Sequence, residues 1–241
     1  MGEYKPEGQY SETESAELSL KGSRNLEGYK FYLRIKEKDL ANKEILDLGS
    51  GPYGRFAEEV EKKISGAKVT SFDYSFEKPA VNKELGERVL FDPLVTENSG
   101  ETKQLKRVRG LFTKLPFAPG SFDVVVSSAA MPLYLNNSEQ IKDAFQEVIR
   151  ILKEGGRAYI GPVAYGNMAA EGNEAKQQHS YEDSSKLFRE ILDNFSGKIK
   201  FEFLPPSFDE LGRPGYPKDH PGVLVVTKTK PLFKWKRGRS H

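Results

Sequence analysis

Short continuous apolar runs alternate along the chain with segments whose apolar residues recur every three or four positions. The runs "EILDLG", "AKVTSFDYS", "FDVVVSSAA" and "RAYIGPVA" have the length and composition of strands that are covered on both faces. The clearest helical spacing lies in residues 138–152, and Gly155 and Gly156 are predicted to end that helix. Strands that alternate with helices predict an α/β fold with a doubly wound, mostly parallel sheet.

Both ends of this pattern are extended by further predicted elements. Residues 25–38 and 182–195 have helical spacing. The runs "KIKFEFL" and "GVLVVTKTK" read as two final strands that are joined by a loop rich in proline and glycine. Because no helix separates these two strands, they predict an antiparallel hairpin at the edge of the sheet.

The middle of the chain is less regular. The run "RVLFDPLV" at 88–95 is predicted to be a short strand, whereas "ENSGETKQLKR" reads as a polar loop or irregular helix and "VRGLFTKLPFAPGSFD" as a connection. The whole pattern predicts a flexible N-terminal arm at 1–24, one domain at 25–230 and a basic tail at 231–241.

Composition excludes several classes of protein and site. The 241 residues are 37% hydrophobic and 30% charged, which is typical of a globular protein, and the net charge of +2 gives no general attraction to nucleic acid. No cysteine is present, so disulfides and thiol chemistry are excluded, and no spacing of the three histidines with acids predicts a metal site. Without an apolar leader or a run of about 20 apolar residues, the sequence predicts a cytoplasmic protein with no membrane partner.

Three glycines, Gly49, Gly51 and Gly54, follow the first predicted strand in "EILDLGSGPYGRF" and lead into a helical pattern. In a wound sheet, ligands bind at the carboxyl ends of the strands, where this turn lies. Glycine permits a tight turn and a close approach of ligand to backbone, and N–H groups at the start of a helix can bind a polar or anionic group. The turn therefore predicts a ligand site.

Two cofactors fit such a turn. A dinucleotide would place its pyrophosphate there, whereas S-adenosylmethionine would place its amino-acid end there. Asp47, just before the turn, is a poor neighbour for pyrophosphate but suits a cationic ammonium group. Asp73, at the end of the second strand, can accept hydrogen bonds from the ribose hydroxyls of either cofactor, so it predicts nucleoside binding without distinguishing them.

Four blocks in this order carry a family resemblance: "ILDLGSGPYG", "VTSFDYSFE", "LPFAPGSFDVVVSSAAMPLYL" and "AFQEVIRILKEGGRAYIGPV". Over residues 44–163 the chain resembles the class I S-adenosylmethionine-dependent methyltransferases. The resemblance implies a Rossmann-like, seven-stranded sheet that is mostly parallel and has an antiparallel last strand. It also implies S-adenosyl-L-methionine as the cofactor.

The same resemblance implies roles for individual residues. The implied cofactor contacts are Asp47, Gly49, Ser50, Gly51, Asp73, Tyr74 and Ser127. In this set Asp73 would bind the ribose, Tyr74 would pack on adenine, and Ser127 would border the reactive end of the cofactor. Met131 and Tyr134 would begin the pocket for the methyl acceptor. No catalytic residue is implied, and no metal ligand.

The sequence departs from the family pattern at three places. The loop continues as Gly-Pro-Tyr-Gly, so Gly54 is not assigned a contact. The acidic residue that precedes "LPF" in the family and meets the adenine amino group is absent, because the chain reads "GLFTK" there. Asp92 in "LFDPLV" competes with Asp73 for the ribose, and Asp73 is favoured because it fits the usual length of a strand-helix-strand unit.

The predicted function is transfer of a methyl group to a small-molecule acceptor by in-line displacement. A general base is needed only where the acceptor must lose a proton first, so the lack of a catalytic triad fits this reaction. The alternatives are an RNA methyltransferase that uses the basic C-terminal tail, a non-catalytic scaffold and a dinucleotide-dependent oxidoreductase. The fourth strand ends "SSAAMP" and not in an Asn-Pro-Pro-Tyr-type motif, which disfavours methylation of amino groups of DNA bases. The sequence predicts neither which small molecule accepts the methyl group nor the oligomeric state.

Overall fold

The computed structural model describes residues 25–51, 54–73, 106–135, 137–163, 181–204 and 222–230. The predicted N-terminal arm, the predicted strand at 88–95 with Asp92, Tyr74, the three histidines and the tail at 231–241 lie outside these residues. None of the helices in the described ranges combines the length and the apolar character that crossing a membrane requires.

Seven strands form one sheet in the described residues. They are β1 (Glu44–Leu48), β2 (Lys68–Phe72), β3 (Lys106–Val108), β4 (Phe122–Ser128), β5 (Leu152–Gly161), β6 (Ile199–Leu204) and β7 (Val223–Lys228). The order across the sheet is β3-β2-β1-β4-β5-β7-β6. The first five strands are parallel, and β7 lies antiparallel between β5 and β6. The predicted Rossmann-like sheet with an antiparallel last strand is confirmed.

Helices cover both faces of this sheet. They are α1 (Leu26–Leu33), α2 (Glu37–Leu40), α3 (Arg55–Lys63), α4 (Ser138–Ile151) and α5 (Tyr181–Asp193). One core cluster packs the sheet against α4 and α5 and contains Leu46, Val125, Phe145 and Phe188. The other packs it against α1, α2 and α3 and contains Ile45, Val124, Leu26 and Phe56. Because neighbouring residues of a strand face opposite sides, β1 and β4 contribute to both cores.

Two details of the predicted elements were wrong. Residues 106–108 form β3, which pairs in parallel with β2, although this segment reads as polar loop and connection. The helix α4 ends at Ile151 and β5 begins at Leu152, before the glycines that were expected to end the helix. Leu152 already pairs with Phe122, and the register shifts between Phe122 and Val124, so the glycines lie within an irregular strand.

An ion pair on α4 fixes the connection between β3 and β4. The Arg150 guanidinium donates to both carboxylate oxygens of Glu147 and to the carbonyl oxygens of Phe117 and Leu115. The backbone N–H of Leu115 donates to Glu147 at 2.8 Å. The hydrogen bond from Arg150 lowers the pKa of Glu147 below its ordinary 4.5, even though burial acts in the opposite direction. This network anchors the segment that leads out of the carboxyl end of β3.

The Glu147 network predicts a specific acid dependence of stability. Since its pKa is lower in the folded protein, Glu147 stabilises the fold fully above its unfolded pKa, and that stabilisation is lost as the pH falls below 4.5. Glu147→Gln is expected to cost about 1 to 2 kcal/mol of unfolding free energy at neutral pH and to flatten the acid limb. Urea unfolding between neutral and acid pH measures both, with the exposed Asp143→Asn on the same helix as control. Parallel loss of stability in Glu147→Gln and wild type would contradict the assignment.

Candidate functional site

The turn after β1 requires backbone conformations that glycine adopts most easily. Gly49, Gly51 and Gly54 have φ angles of 84°, 69° and 60°, all in the left-handed region. Gly54 is the N-cap of α3 and contributes no capping side chain. The glycine pattern therefore produces the predicted strand-turn-helix unit at the carboxyl edge of the sheet.

Hydrogen bonds attach this turn to the end of β2. The N–H groups of Gly49 and Ser50 donate to the Phe72 carbonyl oxygen at 2.7 and 3.1 Å, and the N–H of Gly51 donates to Asp73 Oδ2 at 2.8 Å. These three N–H groups are thus engaged within the protein, whereas the sequence predicts that N–H groups of the turn face a ligand. Their effect is to fix the Asp73 carboxylate directly beside the turn.

Gly49 has no room for a side chain, and the reason is the protein's own packing. A Cβ built on Gly49 would overlap the Cβ of Ala130, and the next nearest side-chain atom is Cζ of Phe112 at 3.5 Å. Ala130 follows β4 and Phe112 follows β3, so the turn is enclosed by the ends of two other strands. At Gly49, the atoms that approach the backbone closely therefore belong to the protein itself and not to a ligand.

Asp47 lies in β1, two residues before Gly49, and is fully buried. Its Oδ1 accepts a hydrogen bond of 2.7 Å from the hydroxyl of Tyr29, which is itself fully buried. The Tyr29 ring stacks on Phe56 of α3, with ring centroids 4.1 Å apart. Helix α1 therefore covers the acid that precedes the glycine turn. The sequence does not predict this contact, because nothing in the local spacing relates residue 29 to residue 47.

Ser127 holds the loop after β4 in place. Its hydroxyl donates to the carbonyl oxygen of Leu48 at 2.9 Å and accepts from the N–H of Met131 at 3.0 Å. Between them Ala129 is exposed and has a φ of 51°, which is unusual for a residue with a side chain. The fully buried Ser127 thus connects the end of β1 to the segment that begins the predicted acceptor pocket.

The structure brings most of the predicted site residues to one edge. Asp47, Gly49, Ser50, Gly51, Asp73 and Ser127 all lie at or just beyond the carboxyl ends of β1, β2 and β4. Met131 is fully buried in the α4-side core, whereas Tyr134 is half-buried. Tyr74 lies outside the described residues. No cluster of three or more acidic or histidine side chains suited to a metal ion occurs within the described ranges.

Two carboxylates on neighbouring strands define what this edge can bind. Asp47 lies in β1, and Asp73 directly follows β2, whose residues pair with β1 in parallel register. A carboxylate has about four acceptor positions, so an acid in this place can in principle accept from the Gly51 N–H and from a ligand hydroxyl together. The arrangement suits an elongated ligand with a cationic end near β1 and a diol near β2.

A family model described as "Methyltransferase domain" matches residues 46–160, a range that begins within β1, ends within β5 and includes the glycine turn and Asp73. The chain is also 30% identical over 113 residues to a sterol 24-C-methyltransferase of Gibberella zeae and 32% identical over 117 residues to a demethylmenaquinone methyltransferase of Chlorobaculum parvum. These matches cover 47% and 48% of this chain but only 26% and 39% of the relatives' own lengths.

A solved structure shows the same fold over a longer range. It is a TehB-like S-adenosylmethionine-dependent methyltransferase of Corynebacterium glutamicum, aligned over 90% of this chain and 95% of its own with a TM-score of 0.50. The sequence identity is 19%, so the likeness concerns the fold.

The packing at Gly49 makes a prediction about stability. Gly49→Ala combines a left-handed alanine, worth about 1 to 2 kcal/mol, with an overlap against Ala130, so its total cost should exceed about 2 kcal/mol. Gly197→Ala is the matched control, because Gly197 has a φ of 83° and no neighbouring atom within 4 Å. Denaturant unfolding should show Gly49→Ala to be the more harmful, and Gly49→Ala with Ala130→Gly should recover part of the difference. Equal costs at residues 49 and 197 would contradict this packing.

The matched residues, the strand order and the placement of the two acids agree with one another. The glycine turn and Asp73 lie side by side at the carboxyl ends of β1 and β2, within the matched range. Residues 46–160 are therefore similar to a methyltransferase domain, and the sheet that carries them has the Rossmann-like strand order that the sequence resemblance implies.

Proposed function

We propose that the protein is an S-adenosylmethionine-dependent methyltransferase that acts on a small-molecule acceptor. The observation that carries the proposal is the attachment of the glycine turn to Asp73, which sets an acidic acceptor at the end of β2 next to the turn. In this proposal Asp73 accepts hydrogen bonds from the ribose hydroxyls. Gly49, Ser50 and Gly51 form the wall against which the methionine part lies.

Asp47 acts in this proposal through charge and position. Because Asp47 is fully buried and hydrogen-bonded to Tyr29, its carboxylate is held in one orientation below the turn. A negative charge held there favours a ligand's ammonium group over a phosphate. This preference supports S-adenosylmethionine over a dinucleotide cofactor.

The chain's contribution to the chemistry is chiefly positioning. When bound, S-adenosylmethionine supplies a methyl group made electrophilic by its sulfonium. Ser127 orders the loop after β4. Ala129 and Tyr134 of this loop can then shape the space for the acceptor beside the methyl group. Alignment of two reactants and exclusion of water can lower a barrier by up to about 7 to 11 kcal/mol, so a base is needed only where the acceptor must first lose a proton.

A small-molecule acceptor has support from two sides. In the loop after β4, the two residues of 129–135 that are not buried are Ala129 and Tyr134, one apolar and one aromatic. The two matched relatives are named for a sterol and for demethylmenaquinone, which are small molecules with large apolar parts. The RNA alternative depends on the basic tail at 231–241, which lies outside the described residues.

Calorimetric titration with S-adenosylhomocysteine, the product form of the cofactor, tests the ribose assignment. We expect micromolar binding that Asp73→Ala weakens by at least tenfold, since the variant loses charge-assisted hydrogen bonds. Asp73→Asn keeps an acceptor for the Gly51 N–H but removes the charge, so it separates support of the turn from contact with the ligand. Asp143→Ala, an exposed acid on α4, is the control. Unchanged affinity in both Asp73 variants would refute the assignment and favour Asp92.

A further inference from the structure

A short apolar segment follows β3 at the same edge of the sheet as Asp73. The N–H of Asp73 donates to the Val108 carbonyl oxygen at 3.1 Å, so the ends of β2 and β3 are level. Residues 109–112 continue from that point. Leu111 is 66% exposed and is the one large apolar side chain that is exposed among the described residues.

Close contacts fix how this segment crosses the edge. A Cβ on Gly110 would lie 2.9 Å from ring atoms of Phe72, so the backbone passes directly over the last residue of β2. The Phe112 ring lies 6.3 Å from the Phe72 ring and reaches back to Gly49 in the turn. Glu147 and Arg150 hold the chain at Leu115 and Phe117 immediately afterwards. Leu111 is therefore exposed although the loop that carries it is held in place by these contacts.

Strand order places this segment at one end of the proposed cofactor site. The order β1, β2, β3 puts the glycine turn, Asp73 and Leu111 in sequence along the carboxyl edge. The cofactor has the linear order methionine, ribose, base. With the methionine part at the turn and the ribose at Asp73, the base continues toward the end of β3, where Leu111 and Phe112 lie.

The side chains of this segment are poorly suited to accept a hydrogen bond from the 6-amino group of adenine. From Lys106 to Phe117 the chain contains no Asp or Glu, and its charged residues Lys106, Arg107, Arg109 and Lys114 are all basic. The carbonyl oxygen of Leu111 accepts the N–H of Lys114 at 3.1 Å, so it is engaged within the loop. The base end of the site therefore offers apolar surface and positive charge, and a carboxylate to accept from the 6-amino group of adenine is absent from this segment.

We propose that Leu111 makes the base subsite apolar, so that the protein binds the base by contact and does not distinguish a 6-amino from a 6-oxo purine. This inference rests on the proposed function. An apolar side chain contacts either base equally through dispersion. A site that hydrogen-bonds an amino group rejects an analogue that carries a carbonyl oxygen there, because an acceptor then faces an acceptor.

The test compares S-adenosylhomocysteine with S-inosylhomocysteine, in which a carbonyl replaces the 6-amino group. Titration of the wild type with each should give Kd values within about threefold of one another. Leu111→Asp introduces the missing acceptor, and it should raise the ratio of inosyl to adenosyl Kd to tenfold or more. Because Leu111 is largely exposed, this variant should keep its fold, which its thermal unfolding temperature checks.

Two further variants sharpen the comparison. Leu111→Ala should weaken both nucleosides by the same factor, roughly three- to tenfold, since only apolar contact is lost. Ala118→Asp introduces the same charge at an exposed position shortly before β4 begins, at the opposite edge of the sheet, and should leave the ratio unchanged.

Each outcome has a distinct meaning. A wild type that rejects the inosyl compound more than tenfold while binding the adenosyl compound would overturn the apolar subsite and leave the proposed function standing. An unchanged ratio in a folded Leu111→Asp would show that the base lies elsewhere and would likewise overturn it. Failure of the wild type to bind S-adenosylhomocysteine at all would refute the proposed function itself, and the inference with it.

Discussion

The attachment of the glycine turn to the end of β2 is the constraint on which the site depends. Three consecutive N–H groups, those of Gly49, Ser50 and Gly51, donate to the Phe72 carbonyl and the Asp73 carboxylate. These bonds hold the turn on the end of β2 and fix where the Asp73 carboxylate lies. Because unpaired N–H groups in a buried turn would be costly, the turn and the acid stabilise one another. The hydrogen bonds that stabilise the turn thus also position the residues of the proposed ligand site.

Much of the sheet could be predicted from the sequence because its central strands are apolar on both faces. Strands β1, β2 and β4 are read directly from "EILDL", "KVTSF" and "FDVVVSS". Strand β3 could not be predicted, since "KRV" is three residues long and largely polar and, among the described strands, pairs with β2 alone. The pairing of β3 depends on the rest of the sheet, and its three residues are too few to show a periodic pattern of apolar and polar side chains.

The places of the candidate site residues in the fold were predictable to a similar extent. Asp47, Asp73 and the glycines were identified because their chemistry is tied to the ends of particular strands. The contacts that surround them join distant parts of the chain, as Tyr29 joins Asp47 and Phe112 approaches Gly49. Ser127 illustrates the difference, because its place at the end of β4 was predicted whereas its bonds to Leu48 and Met131 required the folded structure.

The central claim is that the cofactor lies across the carboxyl ends of β1, β2 and β3, and a crystal structure of the protein with S-adenosylhomocysteine tests it most directly. The account predicts electron density for the amino-acid end beside the glycine turn, the ribose hydroxyls within hydrogen-bonding distance of Asp73, and the base against Leu111. Density for the nucleoside at another edge of the sheet, or a ribose bound by a different acid, would contradict it.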